Sequence, residues 1–294
     1  MLAELAAIHP QVQETFEEAS QGCGVDLWFL SQQGPQEQLN QTEFTQPALL
    51  AASVAVWRAW VANGGAQPAQ FSGHSLGEYA ALVAASSLSL ADAARLVRER
   101  GRLMQAAVPA GGGAMAAILG ADEAMVAEVC SQVSDSEVVV PANYNSPGQI
   151  VIGGHSGALD RALAELAARG VRKVVKLAVS VPSHTPLMQE AAHQLGGVMA
   201  NMSWQLPDRC VIQNADARAE NSVEAIRAAL VRQLYLPVRW SQCVQLLAAQ
   251  GATHVVECGP GKVLTGLIKR IDKALDARAI GAPADFDAAL SELR

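Results

Sequence analysis

The chain has 294 residues, half of them hydrophobic and 17% charged, with a net charge of −7. That composition builds a substantial core and excludes a disordered chain; with no Lys/Arg run there is no electrostatic footprint for a nucleic-acid partner. No uncharged apolar run reaches the roughly 18 residues of a membrane span, the start "MLAELAAIHPQ" lacks a signal-peptide core, and five scattered cysteines without a C-x-x-C pair read as reduced thiols of a cytoplasmic protein with no metal site.

Residues 1–66 read mostly as helix, and "TQPALLAASVAVWRAWVANGG" (45–65) is a long helix stopped by a Gly pair. A modest strand, "AQFSG", leads into Gly73-His74-Ser75-Leu76-Gly77 and a further helix. Ser89, with Asp92 three residues on, opens a helix to about Val108 by a capping-box pattern. Strand "AMAAILG", helix "ADEAMVAEVCSQV", strands "EVVVPANYN" and "GQIVIGG" joined by the turn Ser146-Pro147-Gly148, helix "SGALDRALAELAARG" and strand "RKVVKLAVSV" then follow. The order β-α-β-β-α-β is the ferredoxin-like arrangement. Beyond it, strand "CVIQNAD", helices "SVEAIRAALVRQLY" and "SQCVQLLAAQG", strand "THVVECG" and helix "KVLTGLIKRI" return to alternation, which predicts a mostly parallel sheet. The fold class is therefore α/β: a large α/β-hydrolase-like core (1–109 and 179–294) with an inserted small ferredoxin-like (βαββαβ) subdomain (110–178).

Small residues on either side of Ser75 permit a sharp strand-to-helix turn that exposes the hydroxyl. Two readings stand, a tight turn that happens to contain serine and a nucleophile. A nucleophile needs a base. His9, His155 and His193 sit on helices or turns with no such signal, and His74 would point away from its neighbour. His184, in "VSVPSHTPLM", lies on a loop stiffened by Pro182 and Pro186 at a strand end, a usual place for catalytic side chains in α/β proteins; its bland alternative is loop packing. His254 begins a strand, the wrong end for an active face.

On a helical wheel over 89–108, Arg95, Arg98 and Arg102 fall together with Glu99 on a solvated face, whereas Arg100 falls among Ala93, Val97 and Met104. A buried arginine needs an anion, either a structural carboxylate or a substrate carboxylate held bidentately. "CGPGKVLTG" (258–266) does not have Walker A spacing and reads as a strand-to-helix turn whose N–H groups face an anion at most. An esterase or thioesterase would need the order Ser, acid, His, for example Ser75, Asp216, His254, and several strands before its nucleophile, where this chain reads helical.

Taken in series, "GHSLGEYAAL", "VRERGRLMQ", "NYNSPGQIVI", "SVPSHTPLM", "LVRQLYLPVRW" and "GPGKVLTGL" closely resemble the malonyl-CoA:acyl carrier protein transacylases of bacterial fatty-acid synthesis, over essentially the whole chain. The resemblance implies ping-pong transfer of malonyl from malonyl-CoA to the phosphopantetheine thiol of acyl carrier protein, with no cofactor. It implies Ser75 as nucleophile, His184 as base and then acid, and the Gln233 backbone carbonyl as the group that orients His184. It further implies Arg100 on the malonyl carboxylate, the Leu76 N–H in the oxyanion hole, Met104 lining the pocket, and Asn143 and Asn145 on the small-subdomain side of the cleft. A cytoplasmic monomer is expected. In the family a strand ending in Phe-Pro-Gly-Gln-Gly supplies a second oxyanion donor; that stretch is missing here, where "MLAELAAIHP" matches the family just after it, which bears on activity. A trans-acting polyketide-type acyltransferase is the near alternative, and a non-catalytic binder of carrier protein or CoA the distant one.

Overall fold

The computed structural model describes residues 1–179 and 181–294. The chain begins with a helical layer: α1 (Ala3–Ala6), α2 (Gln11–Cys23), α3 (Leu27–Gln33), α4 (Gln36–Leu39) and α5 (Thr42–Ala62). Gly24 ends α2 in the left-handed region (φ 70°), and the Asp26 side chain opens α3 by accepting from the Phe29 N–H at 2.8 Å. α5 is apolar on nearly every side and buried, the pattern of a central helix.

Next come β1 (Gln70–Ser72), α6 (Gly77–Ala84) and α7 (Leu90–Ala106). Ser89 caps α7 by accepting from the Asp92 N–H at 3.1 Å, as its spacing predicts. Two glycines bring helices together here. A Cβ on Gly22 would run into the backbone of Ala91, and one on Gly101 would lie 2.6 Å from the Glu43 Cα. α7 therefore closes on α2 and on the first turn of α5, which sets Arg100 against Gln46.

The middle of the chain folds as β2 (Gly113–Leu119), α8 (Glu123–Val133), β3 (Val139–Ser146), β4 (Gln149–His155), α9 (Ser156–Ala168) and β5 (Lys173–Lys176). Its sheet has the order β3-β4-β2-β5 with every pair antiparallel. Ile118, Ile150 and Ile152 of the sheet pack on Val126, Val129, Leu159, Ala162 and Leu166 of the two helices, a core separate from the main one. β5 is shorter than the expected strand 172–181: ladder pairing stops at Lys176, and Ser180 lies outside the described residues.

The remainder holds a single 3-10 turn at Pro186–Met188, then α10 (Gln189–Ala200), β6 (Cys210–Gln213), β7 (Arg218–Ala219), α11 (Val223–Tyr235), α12 (Trp240–Ala249), β8 (His254–Glu257), α13 (Val263–Ile271), β9 (Asp276–Ala279) and α14 (Pro283–Glu292). β1 pairs with β6 in parallel and β6 with β7 antiparallel, while β8 and β9 form their own parallel pair. The parallel pairing expected of the core is present, divided between two short sheets whose strands of two to four residues share only two to four ladder pairs. β1 and β6 run side by side, so the residues after them, Gly73–Ser75 and Asn214, emerge at the same edge. No helix among the described residues is long and apolar enough to cross a membrane.

Candidate active site

The site is built where β1 turns into α6. Ser75 sits in the left-handed region at φ 51°, a conformation a non-glycine residue holds only when its surroundings enforce it. Asn214, just past β6, enforces it: its Oδ1 accepts from the Ser75 N–H at 2.7 Å, and its Nδ2 donates to the Gly73 carbonyl at 2.8 Å. The two flanking glycines are not equivalent. A Cβ on Gly73 would overlap the Gly77 carbonyl, whereas a Cβ on Gly77 would meet nothing within 4 Å. Only the first is required by the turn, a correction to the expectation of small residues on both sides.

His184 is brought to the serine across the molecule. It too has positive φ (62°), held by its N–H donating to the Leu234 carbonyl at 2.9 Å and by Thr185 Oγ1 donating to the Pro182 carbonyl at 2.7 Å. Ser75 Oγ lies 2.8 Å from His184 Nε2, and His184 Nδ1 lies 2.6 Å from the Gln233 carbonyl. A carbonyl only accepts, so Nδ1 carries the proton and Nε2 presents its lone pair to the serine hydroxyl. Burial, and next the Arg100 charge, push the imidazole down to about 3, so it is neutral and unprotonated at Nε2 at ordinary pH.

Arg100 is 1% exposed. Its Nη1 donates to Gln46 Oε1 at 2.7 Å, and its Nη2 donates to Gln233 Oε1 at 3.1 Å and to Ser75 Oγ at 3.3 Å. Tyr79 lies under the guanidinium, 5.5 Å from ring centroid to Cζ. Among the described residues no carboxylate pairs with Arg100 directly, and its Nε has no partner. A direct pair with a structural carboxylate is therefore not what the fold provides for this arginine; its partners are two glutamine amides and the Ser75 hydroxyl.

The other expected residues divide. Leu76 follows the serine at the N-terminus of α6, and among the described residues its N–H meets no acceptor. Asn145 Oδ1 lies 2.8 Å from His74 Nε2, which ties β3 of the middle unit to the turn and keeps His74 away from the serine. Asn143 is buried on the same strand, where β3 is joined to Val238, and makes no hydrogen bond to the Ser75–His184 pair. Met104 reaches the site indirectly, its Sδ accepting from Gln46 Nε2 at 3.6 Å. The esterase triad is not assembled: Asp216 pairs with Arg232, and His254 is half-exposed beside Thr253 and Asp276.

Four polar residues in this network were not singled out from the sequence: Gln46, Glu78, Gln213 and Asn214, all buried. The carboxylate of Glu78 accepts from the Asn214 N–H at 2.8 Å, from Gln233 Nε2 at 2.9 Å and from Gln213 Nε2 at 3.1 Å. A glutamate inside α6, otherwise apolar on all sides, was the one available hint. Among the described residues no group of three or more His, Cys, Asp or Glu side chains is placed to hold a metal ion.

A serine hydroxyl on a strained turn, hydrogen-bonded to a neutral imidazole and adjoining a buried cation, is the arrangement of covalent acyl transfer. The family model described as an acyl transferase domain matches residues 5–282. The chain is 53% identical over 292 residues to the malonyl CoA-acyl carrier protein transacylase of Salmonella typhimurium, covering 99% of this chain and 94% of that one. It superposes on the crystal structure of a malonyl-CoA:acyl carrier protein transacylase from Xanthomonas oryzae with a TM-score of 0.99 at 67% identity, covering 100% and 93% of the two chains. It is also similar, at 50% identity and a TM-score of 0.97 over 99% and 94%, to a malonyl-transacylase solved in complex with its type II PKS acyl-carrier protein. The chain belongs to the acyl transferase family and, within it, to the malonyl CoA-acyl carrier protein transacylases.

Proposed function

We propose that this chain transfers malonyl from malonyl-CoA to the phosphopantetheine thiol of acyl carrier protein, through a malonyl ester on Ser75, in cytoplasmic fatty-acid synthesis. The observation that carries the reading is Arg100: a buried guanidinium with no carboxylate of its own, one N–H unpartnered, 3.3 Å from the serine hydroxyl. A substrate anion at that point completes it.

Each half-reaction uses the same atoms. Ser75 Oγ attacks the thioester carbonyl while His184 Nε2 takes its proton. The oxyanion of the tetrahedral intermediate meets the Leu76 N–H at the α6 terminus. Collapse breaks the C–S bond, and the proton on Nε2 goes to the departing CoA sulfur. The carrier thiol then gives its proton to Nε2 and attacks the malonyl ester, and Ser75 recovers its proton as it leaves. The Gln233 carbonyl holds the imidazole in its tautomer throughout, and in the protonated state it accepts from Nδ1–H.

Because the Arg100 charge contributes to the low basicity of His184, a malonyl carboxylate paired with Arg100 cancels part of that field and raises the basicity of the imidazole when substrate is bound. Asn143 and Asn145 take the side of the cleft formed by β3, and Met104 backs the acyl pocket through Gln46. The antiparallel order β3-β4-β2-β5 with two helices on one face supports reading residues 110–178 as a ferredoxin-like subdomain inserted between 1–109 and 179–294 of the acyl-transfer core.

The experiment is acylation of the wild-type chain by malonyl-CoA and by acetyl-CoA, followed by intact mass spectrometry. A single malonyl adduct that vanishes in Ser75→Ala, with acetyl far slower, is the expected result. Acetyl and malonyl adducts forming at equal rates would contradict it.

A further inference from the structure

The inference concerns Glu78 and rests on the acyl-transfer reading above. Glu78 lies in the first turn of α6 and is fully buried. Its three hydrogen-bond partners, the Asn214 N–H, Gln213 Nε2 and Gln233 Nε2, come from two other elements and are all donors. Gln213 Nε2 also donates to the Ile226 carbonyl at 3.3 Å, which fixes the orientation of that amide. Three donors and no described acceptor make a setting that only an ionised carboxylate satisfies.

The Gln233 amide stands between two opposite buried charges. Its Nε2 donates to Glu78 Oε2 and to the Ser75 carbonyl, both at 2.9 Å, while its Oε1 accepts from Arg100 Nη2 at 3.1 Å. Turning the amide over would set NH2 against guanidinium and oxygen against carboxylate, so the charges leave it one orientation. The same residue's backbone carbonyl holds His184 Nδ1. We propose that Glu78 is the positioning residue of this site: its carboxylate, acting through the Gln233 side chain, balances Arg100 at a distance and fixes both Arg100 and His184 relative to Ser75. Because an amide separates the two charges, Arg100 has a counter-charge without a direct ion pair, and its remaining N–H groups stay free for a substrate carboxylate.

Burial lifts the Glu78 carboxyl above the ordinary glutamate range, against the pull of its donors and of Arg100. The titratable and charged groups facing it are Arg100 from α7, Cys243 from α12 and Tyr79 beside it on α6. Burial pushes the Cys243 thiol and the Tyr79 phenol each up to about 12, and His184 protonates only near 3, so none of them titrates alongside it.

The test is the pH dependence of kcat/KM for malonyl adduct formation, read by rapid-quench mass spectrometry per folded molecule. It is run on wild type, Glu78→Gln, Arg100→Met and the double variant. Wild type should lose rate on the acid side above the ordinary glutamate pKa of about 4.3. Glu78→Gln should fall about tenfold or more at pH 8 and lose that acid limb. In the Arg100→Met background the same substitution should cost less than it does in wild type, since the part of its effect that reaches Arg100 through the shared amide is already lost. Wild-type kinetics in Glu78→Gln, or losses that multiply independently in the double variant, would overturn the proposal. Should Glu78→Gln not fold, wild type alone decides: an acid limb above the glutamate range supports the assignment, and a flat profile down to about pH 4.5 in folded protein overturns it. No adduct on wild type at pH 8 would instead remove the acyl-transfer reading beneath it.

Discussion

Replacing Arg100 by methionine separates the cost of the guanidinium to the fold from its value to the substrate. In the free protein the charge is buried against two glutamine carbonyls, and burial pulls its pKa below the usual arginine value, so the fold holds it at a penalty. Methionine leaves those two acceptors without a donor, at about 1–3 kcal/mol each. Against that it relieves a desolvation penalty of several kcal/mol, on the scale of a buried ion. The two oppose each other, which leaves the lost counter-charge of the buried Glu78 carboxylate, so the variant should be destabilised by about 3–5 kcal/mol at most. With malonyl bound there is no such offset. The substrate carboxylate loses its cation, which costs about 3–5 kcal/mol, or two to three and a half decades in kcat/KM at about 1.4 kcal/mol per decade. Acetyl has no carboxylate to lose and should fall by about tenfold at most. Rapid-quench acylation with both thioesters, beside a thermal melt, measures all three quantities. Equal losses for malonyl and acetyl would refute the carboxylate role, as would a malonyl loss explained by unfolding.

The turn that carries Ser75 predicts an asymmetry. Gly73→Ala should abolish acylation and lower the melting temperature, because its Cβ meets backbone that cannot move aside, while Gly77→Ala should be neutral or stabilise by up to about 1 kcal/mol. His184→Ala should cost about 10³-fold or more in acylation, and His254→Ala, on a half-exposed strand end, less than about twofold. His184 also gives a pH signature in stability. Its folded pKa of about 3 lies below the ordinary histidine value of 6.5, so its contribution is complete above 6.5 and is lost as pH falls from there toward 3, at up to about 1.4 kcal/mol per pH unit. Denaturant titrations of wild type and His184→Gln between those limits should show a shallower acid slope in the variant; parallel slopes would mean that the imidazole is not buried in its neutral form.

The parts of this site that were legible in the sequence are those whose residue type clashes with its place in a pattern. Arg100 was conspicuous because α7 is long and amphipathic enough for a wheel to assign its faces, and a charge on the apolar face must be answered. Ser75 stands between two glycines just past β1, and His184 between Pro182 and Pro186 on a loop well beyond the end of β5, where local chemistry restricts the backbone. Glu78 escaped because α6 has only eight residues and is buried nearly all round, so it offers no polar face against which a misplaced charge shows. Gln46, Gln213 and Asn214 escaped because a neutral amide is unremarkable at any position until its partners, more than a hundred residues away for Gln213 and Asn214, are in place. The middle unit was readable element by element, since β2, β3 and β4 run seven or eight residues each as largely apolar segments and the turn at Gly148 is explicit. The pairing of the core strands was not, because segments as short as Arg218–Ala219 carry no periodicity and their partners are chosen by the helices packed around them.

In the proposed reaction Ser75 carries malonyl between two thiols. Its most direct measurement is a two-step mass experiment. The wild-type chain is mixed with malonyl-CoA, freed of small molecules, and then given acyl carrier protein bearing its phosphopantetheine arm. One malonyl group is expected on the Ser75 peptide after the first step, and its loss from that peptide with appearance on the carrier after the second. A folded chain that acquires no adduct, or an adduct that water removes and the carrier does not, would contradict it.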